Sequence, residues 1–123
     1  MKKILLVIVS FLFITGCSKQ IFNNPVVNNN ELIVKEQVID NLRFSDASLI
    51  YEKGISTFKV NITNNGDKVS PNGLDVIFKN ENDTVITTLD GTFGDIEKDS
   101  FIALTLTSDI DLSKAYKVEY KIK

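Results

Sequence analysis

The chain has 123 residues, 14 of them basic and 16 acidic, with no His, no Trp and a single Cys. The absence of His excludes His-based triads, His general acids and His metal ligands together, and one Cys leaves no intramolecular disulfide. A net charge of −2 without any basic cluster argues against nucleic acid as a partner.

Met1-Lys2-Lys3 forms a short positive start, and Ile4 to Ile14 (ILLVIVSFLFI) follows with Ser10 as its only polar residue. A positive segment, a short apolar segment and a small-residue exit are the pattern of a secretory signal. Eleven residues of helix, rising ~1.5 Å each, fall well short of the ~30 Å hydrocarbon core of a bilayer, so a permanent span is not expected. Ile14-Thr15-Gly16-Cys17 resembles the lipobox of bacterial lipoproteins. The resemblance implies cleavage between Gly16 and Cys17, removal of residues 1–16, and lipid on the Cys17 sulfur, which reacts as the thiolate. Each buried CH₂ of such a lipid adds ~0.8 kcal/mol, so two or three acyl chains on one residue anchor firmly. The expected location is the extracytoplasmic face of a bacterial cell membrane. Loss of Lys2 and Lys3 leaves 12 basic and 16 acidic residues, a net charge of −4.

Residues 17–30 read as a lipidated, Asn-rich tether: Ser18 to Asn30 (SKQIFNNPVVNNN) holds five Asn and one Pro, poor material for a helix or a central strand. Fully extended, it spans roughly 45 Å. Ile21, Phe22, Val26 and Val27 are unusual in a pure linker, and pack loosely on the domain or lipid, or form a short docking motif.

Residues 31–123 are long enough for one small domain with a single core. After a strand near Ile33–Ile39 and another around Ala47–Tyr51, period-two alternation dominates. Phe58, Val60 and Ile62 share one face, as do Leu74, Val76 and Phe78, then Ile102, Leu104 and Leu106, then Tyr116, Val118, Tyr120 and Ile122. Turn signals fall between the runs: Glu52-Lys53-Gly54, Asn64-Asn65-Gly66-Asp67, Ser70-Pro71-Asn72-Gly73, Glu81-Asn82-Asp83 and Asp90-Gly91. Ser108 to Lys114 reads as one helical turn capped by Asp109 or Asp111. The pattern predicts an all-β, immunoglobulin-like antiparallel β-sandwich of about seven strands.

Leu42 to Ile122 resembles the immunoglobulin-like FxLYD-type domains of bacterial lipoproteins. The likeness is carried by Phe58-Lys59-Val60-Asn61-Ile62-Thr63-Asn64-Asn65-Gly66, by Val76-Ile77-Phe78-Lys79-Asn80 with Asp83-Thr84-Val85-Ile86, and by Ile96-Glu97-Lys98-Asp99-Ser100-Phe101. Val76, Lys79 and Asn80 stand where that family's pattern has Phe, Tyr and Asp. The resemblance implies a non-catalytic envelope module.

Asp95, Glu97 and Asp99 alternate along one loop and come nearest to a hard-cation set. They lack the Gly and closing Glu that a calcium loop of this spacing uses, so no metal centre is expected. Phe93, between small residues in Gly91-Thr92-Phe93-Gly94, either contacts a ligand or closes one end of the core. Ile77, on the outward face of its strand, either joins an exposed apolar patch or lies under the N-terminal segment. With no paired nucleophile and base, the expectation is no enzyme and no cofactor. The expected function is a membrane-anchored binding or scaffolding module for a protein or cell-wall partner. The alternative is a small-ligand carrier or transporter accessory with an apolar pocket between its sheets.

Overall fold

A computed structural model describes residues 25–66 and 73–123. The expected cleavage site at Gly16 and Cys17 lies outside the described residues. Among those described, eight strands and one short helix follow in order: β1 Val26–Val27, α1 Glu31–Val34, β2 Gln37–Ile39, β3 Leu42–Glu52, β4 Ile55–Asn64, β5 Leu74–Lys79, β6 Val85–Gly91, β7 Phe101–Ser108 and β8 Lys117–Ile122. They form an antiparallel β-sandwich. The larger sheet runs β3-β4-β7, with β1 and β2 both paired to the outer edge of β3, and the smaller sheet runs β6-β5-β8. No helix among the described residues is long and apolar enough to cross a membrane.

The four alternating runs build the space between the sheets. Phe58, Val60 and Ile62 of β4 are buried, as are Leu74, Val76 and Phe78 of β5, while their odd or even neighbours face water. Four aromatic rings bridge the two sheets. Phe44 stacks on Tyr120 with ring centres 4.2 Å apart, and Phe58 meets Phe78 edge-on at 5.3 Å. Rings at these separations fill the centre of the sandwich with close-packed side chains.

Tyr120 is 7 % exposed and its hydroxyl has no hydrogen-bond partner among the described residues. Burial pushes its phenol well above the ordinary value. The unfolded chain releases this proton near pH ~10 while the folded chain retains it, so stability is full below that pH and falls as pH rises further. Tyr120→Phe removes both the orphaned hydroxyl and this titration. The Phe variant is expected to match the native protein or exceed its stability by about 1 kcal/mol near neutral pH. Thermal melts across the alkaline range check this. A Tyr120→Phe melting curve that falls with pH as steeply as the native one contradicts the assignment.

Three local departures from the sequence expectation have physical causes. β3 begins at Leu42, five residues before the expected Ala47, because the pairing with β4 shifts register between Ser45 and Ser48. Asp46 sits at the shift with φ 55°, and the buried positions change parity there, from Leu42 and Phe44 to Ala47 and Leu49. Such a bulge breaks a period-two reading. The strand expected at Ile33–Ile39 is split: the Asn30 side chain accepts the Leu32 N–H at 3.0 Å, caps the α1 turn and leaves only Gln37–Ile39 extended. Ser108 to Lys114 is a turn rather than a helical one, held by Ser56. The Ser56 hydroxyl donates to the Ile110 carbonyl at 2.7 Å and accepts from the Leu112 N–H at 2.9 Å.

The N-terminal residues straddle one side of the sandwich. The Asn28 amide donates to the carbonyls of Leu112 and Ala115 at 3.1 and 2.8 Å, and its backbone N–H bonds the Leu49 carbonyl at 2.8 Å. Ile33 then inserts into the core, and the Gln37 amide donates to the Val118 carbonyl on the outer edge of β8. Residues 26–39 thus close the gap between β3 and β8.

Candidate functional site: an open strand edge

A sandwich of two open sheets has strand edges that carry unpaired N–H and C=O groups, and native sequences guard them with charge, bulges or covering segments. Here β3 is covered by β1 and β2. β8 carries Lys117, Glu119 and Lys121, and Gln37 covers its Val118 carbonyl. β6 is irregularly paired near Lys79 and carries Asp90.

Among the described residues, β7 has none of these guards. Phe101-Ile102-Ala103-Leu104-Thr105-Leu106-Thr107-Ser108 contains no charge and no Pro, in a chain of which 24 % is charged. The pairing of β4 with β7 runs unbroken from Thr63↔Phe101 to Ser56↔Ser108. The Asn64 N–H bonds the Ser100 carbonyl at 2.9 Å, so Ile102, Leu104 and Leu106 exchange hydrogen bonds with β4. By the same alternation, the N–H and C=O groups of Phe101, Ala103, Thr105 and Thr107 point to the open side. Their side chains all lie on the exposed face of the sheet, and Phe101 is 62 % exposed.

Beside the start of β7, the outer face of the larger sheet holds an open groove of about 240 Å³ lined by Arg43, Ser45, Asp46, Asn61, Thr63 and Phe101. Register explains the set, because Arg43, Thr63 and Phe101 are cross-strand neighbours in one row and Ser45, Asn61 and Ala103 in the next. The Asn61 amide donates to the Asp46 carboxylate at 3.2 Å, and Arg43 lies 4.0 Å from Glu36.

Several other charges are paired with each other. Lys79 bridges Glu119 at 3.1 Å and Asp83 at 3.5 Å, Lys117 also reaches Asp83, and Lys123 bridges Asp90 at 2.6 Å. The hydrogen bond that Lys79 donates to Glu119 raises the Lys79 pKa, the one that Lys117 donates to Asp83 lowers the Asp83 pKa, and the one that Lys123 donates to Asp90 raises the Lys123 pKa. Asp111 is lowered by the hydrogen bonds of Ser113. These groups tie strands and turns together.

The sequence candidates are scattered relative to the β7 edge. Phe93 is half-buried and packs against the core. Ile77 lies half-buried at the centre of the smaller sheet, between Thr88 and Glu119. Asp95, Glu97 and Asp99 are exposed in the β6–β7 connection, where the Asp99 N–H bonds the Asn64 carbonyl at 2.7 Å and its φ is 63°. Among the described residues, no three potential ligands converge as a metal site. The edge itself had a sequence signal that residue-by-residue searching passes over, namely eight uncharged residues in an otherwise charged domain. Comparison with protein-family models, with curated proteins and with solved structures finds no match for this chain.

Proposed function

We propose that the chain is a membrane-anchored lipoprotein whose extracytoplasmic sandwich is a non-catalytic binding or scaffolding module, and that β7 is its recognition edge. The observation that carries the reading is the unguarded, regularly paired β7, whose outward backbone groups are set to receive an extended segment of a partner protein. Main-chain hydrogen bonds supply affinity in this mode, and the groove beside Phe101 offers a place for side chains that supply specificity. Anchorage rests on the resemblance of Ile14 to Cys17 to a lipobox. The carrier alternative needs apolar space between the sheets, where Phe44, Phe58, Phe78 and Tyr120 are packed against one another.

A photo-crosslinking amino acid at Thr107, compared with one at Thr88 on the neighbouring edge strand, tests the reading in native membranes. One stoichiometric protein adduct from Thr107 and none from Thr88 is the expected result. No adduct from Thr107, with a small molecule copurifying instead, overturns it in favour of the carrier. Cys17→Ala is expected to abolish fatty-acid labelling, and persistent labelling removes the anchor from the reading.

A further inference from the structure

The chain enters the fold at a defined end. Val26 pairs with Tyr51 beside the β3–β4 turn, and the Asn28 amide is bonded to Leu112 and Ala115 in the β7–β8 connection. Tyr116 follows directly, and its N–H bonds the Lys79 carbonyl at the close of β5. Lys53-Gly54, Asn80 to Thr84 and the connection after Ser108 therefore share one end. Phe101, Gly66, Gly73 and the β6–β7 connection share the other, because each strand leads from one to the other.

Exposed apolar side chains gather at the end where the chain enters. Ile55, Val85, Ile110 and Tyr116 are between 39 % and 51 % exposed there, and Val26 and Val27 lead into it. At the far end the large exposed apolar residues are Phe101, which belongs to the β7 edge, and Val38 of β2, in the same row beyond Thr63 and Arg43. Nine residue steps separate Cys17 from Val26, an extended length of about 30 Å at most.

We propose that this end of the sandwich rests on a lipid surface, with Ile55, Val85, Ile110 and Tyr116 at the headgroup boundary. The inference rests on the reading of Cys17 as the anchor. It commits to lipid because the Asn28 contacts hold the apolar rim within a short chain length of the acyl groups, and apolar side chains and a Tyr ring suit that boundary. The acidic domain gains nothing from anionic headgroups, so the contact is apolar and insensitive to salt. It also assigns the edge. Antiparallel pairing of two β7 strands turns one copy end for end, so on a single membrane β7 is left for a strand from a different protein.

The chain has no Trp, so single reporters are clean. Ile110→Trp and Val85→Trp report from the rim and Phe101→Trp from the far end, each in the full lipidated chain reconstituted in phosphatidylcholine vesicles brominated high on the acyl chain. Both rim reporters are expected to lose about half their emission or more relative to unbrominated vesicles, and Phe101→Trp almost none. Unquenched rim reporters on a chain that carries fatty acid overturn the orientation alone, as does equal quenching at Phe101→Trp. A native chain that takes no fatty-acid label overturns the anchored reading and this inference with it.

Discussion

Thr105→Pro is expected to abolish capture of the partner strand while the sandwich stays folded. The Thr105 N–H points away from β4, so proline there removes no hydrogen bond of the β4–β7 ladder. What it removes is a donor on the open edge, and its ring stands where the incoming backbone must lie. A stability cost of no more than about 1–2 kcal/mol is expected, against a loss of crosslinking at Thr107 of about 100-fold. Leu104→Pro is the contrast. Leu104 is buried and exchanges hydrogen bonds with Val60. Proline at that position costs ~3 kcal/mol for the lost bond and a further 2–5 kcal/mol for the core side chain, enough to unfold a domain of ordinary stability. Denaturant melts and the Thr107 crosslink separate the two. Undiminished capture by a folded Thr105→Pro variant rules out strand addition at β7.

Asn28→Ala is expected to destabilise the domain by about 2–4 kcal/mol, although Asn28 precedes the bulk of the fold. The side chain is 6 % exposed and supplies both donors to the Leu112 and Ala115 carbonyls, while its oxygen accepts the Asn30 N–H at 3.0 Å. Alanine leaves the Ala115 carbonyl in a buried site without this donor, worth ~1–3 kcal/mol, while the Leu112 carbonyl keeps only the Ala115 N–H at 3.1 Å. Asn28→Asp is worse at neutral pH, since it faces two carbonyl oxygens with a charge of the wrong sign and no donor. Protonation restores one donor, so the Asp variant recovers stability on acidification as the native protein does not. Denaturant titration at two pH values checks both statements, and limited proteolysis before Ile33 reports release of the N-terminal segment. A loss below about 0.5 kcal/mol for Asn28→Ala shows that these bonds do not hold the segment.

The two expectations concern opposite sides of one sandwich. Residues 26–39 close the side between β3 and β8, where Ile33 fills the core and Gln37 satisfies Val118. The side bearing β6 and β7 is left open, and there Gly91 lets the strands approach. A Cβ at that glycine would lie 3.3 Å from Leu104 and 3.4 Å from Leu106. Covering one side and exposing the other gives the domain a single unguarded edge among the described residues.

Period-two alternation identified β4, β5, β7 and β8 because each is half-buried, and a half-buried strand writes its environment into its sequence. It reached only Ala47–Tyr51 of β3, because the bulge at Asp46 changes the parity of the buried positions, and it failed at residues 31–36, where the Asn30 cap and the burial of Ile33 put a helical turn before the short β2. Tyr116 shares the alternation of Val118 and Tyr120 in the sequence, yet it precedes β8 and is exposed. Residue type alone singles out Phe93, Ile77 and the acidic loop, and residue type carries no information about neighbours on other strands.

By itself the sequence determined the all-β class, the four main strands and their inward faces, since these follow from local patterns of burial along one chain. It also holds the lipobox-like Ile14-Thr15-Gly16-Cys17, a motif read by local order alone. Only the tertiary structure decided which strand is left at an open edge, which end of the sandwich receives the N-terminal chain, and that Asn28 bonds carbonyls 84 and 87 residues away. An edge is defined by the neighbour a strand lacks, and that neighbour is assigned by pairing across the whole chain. The uncharged run at β7 was therefore visible as composition, and its meaning came from the position that folding gave it.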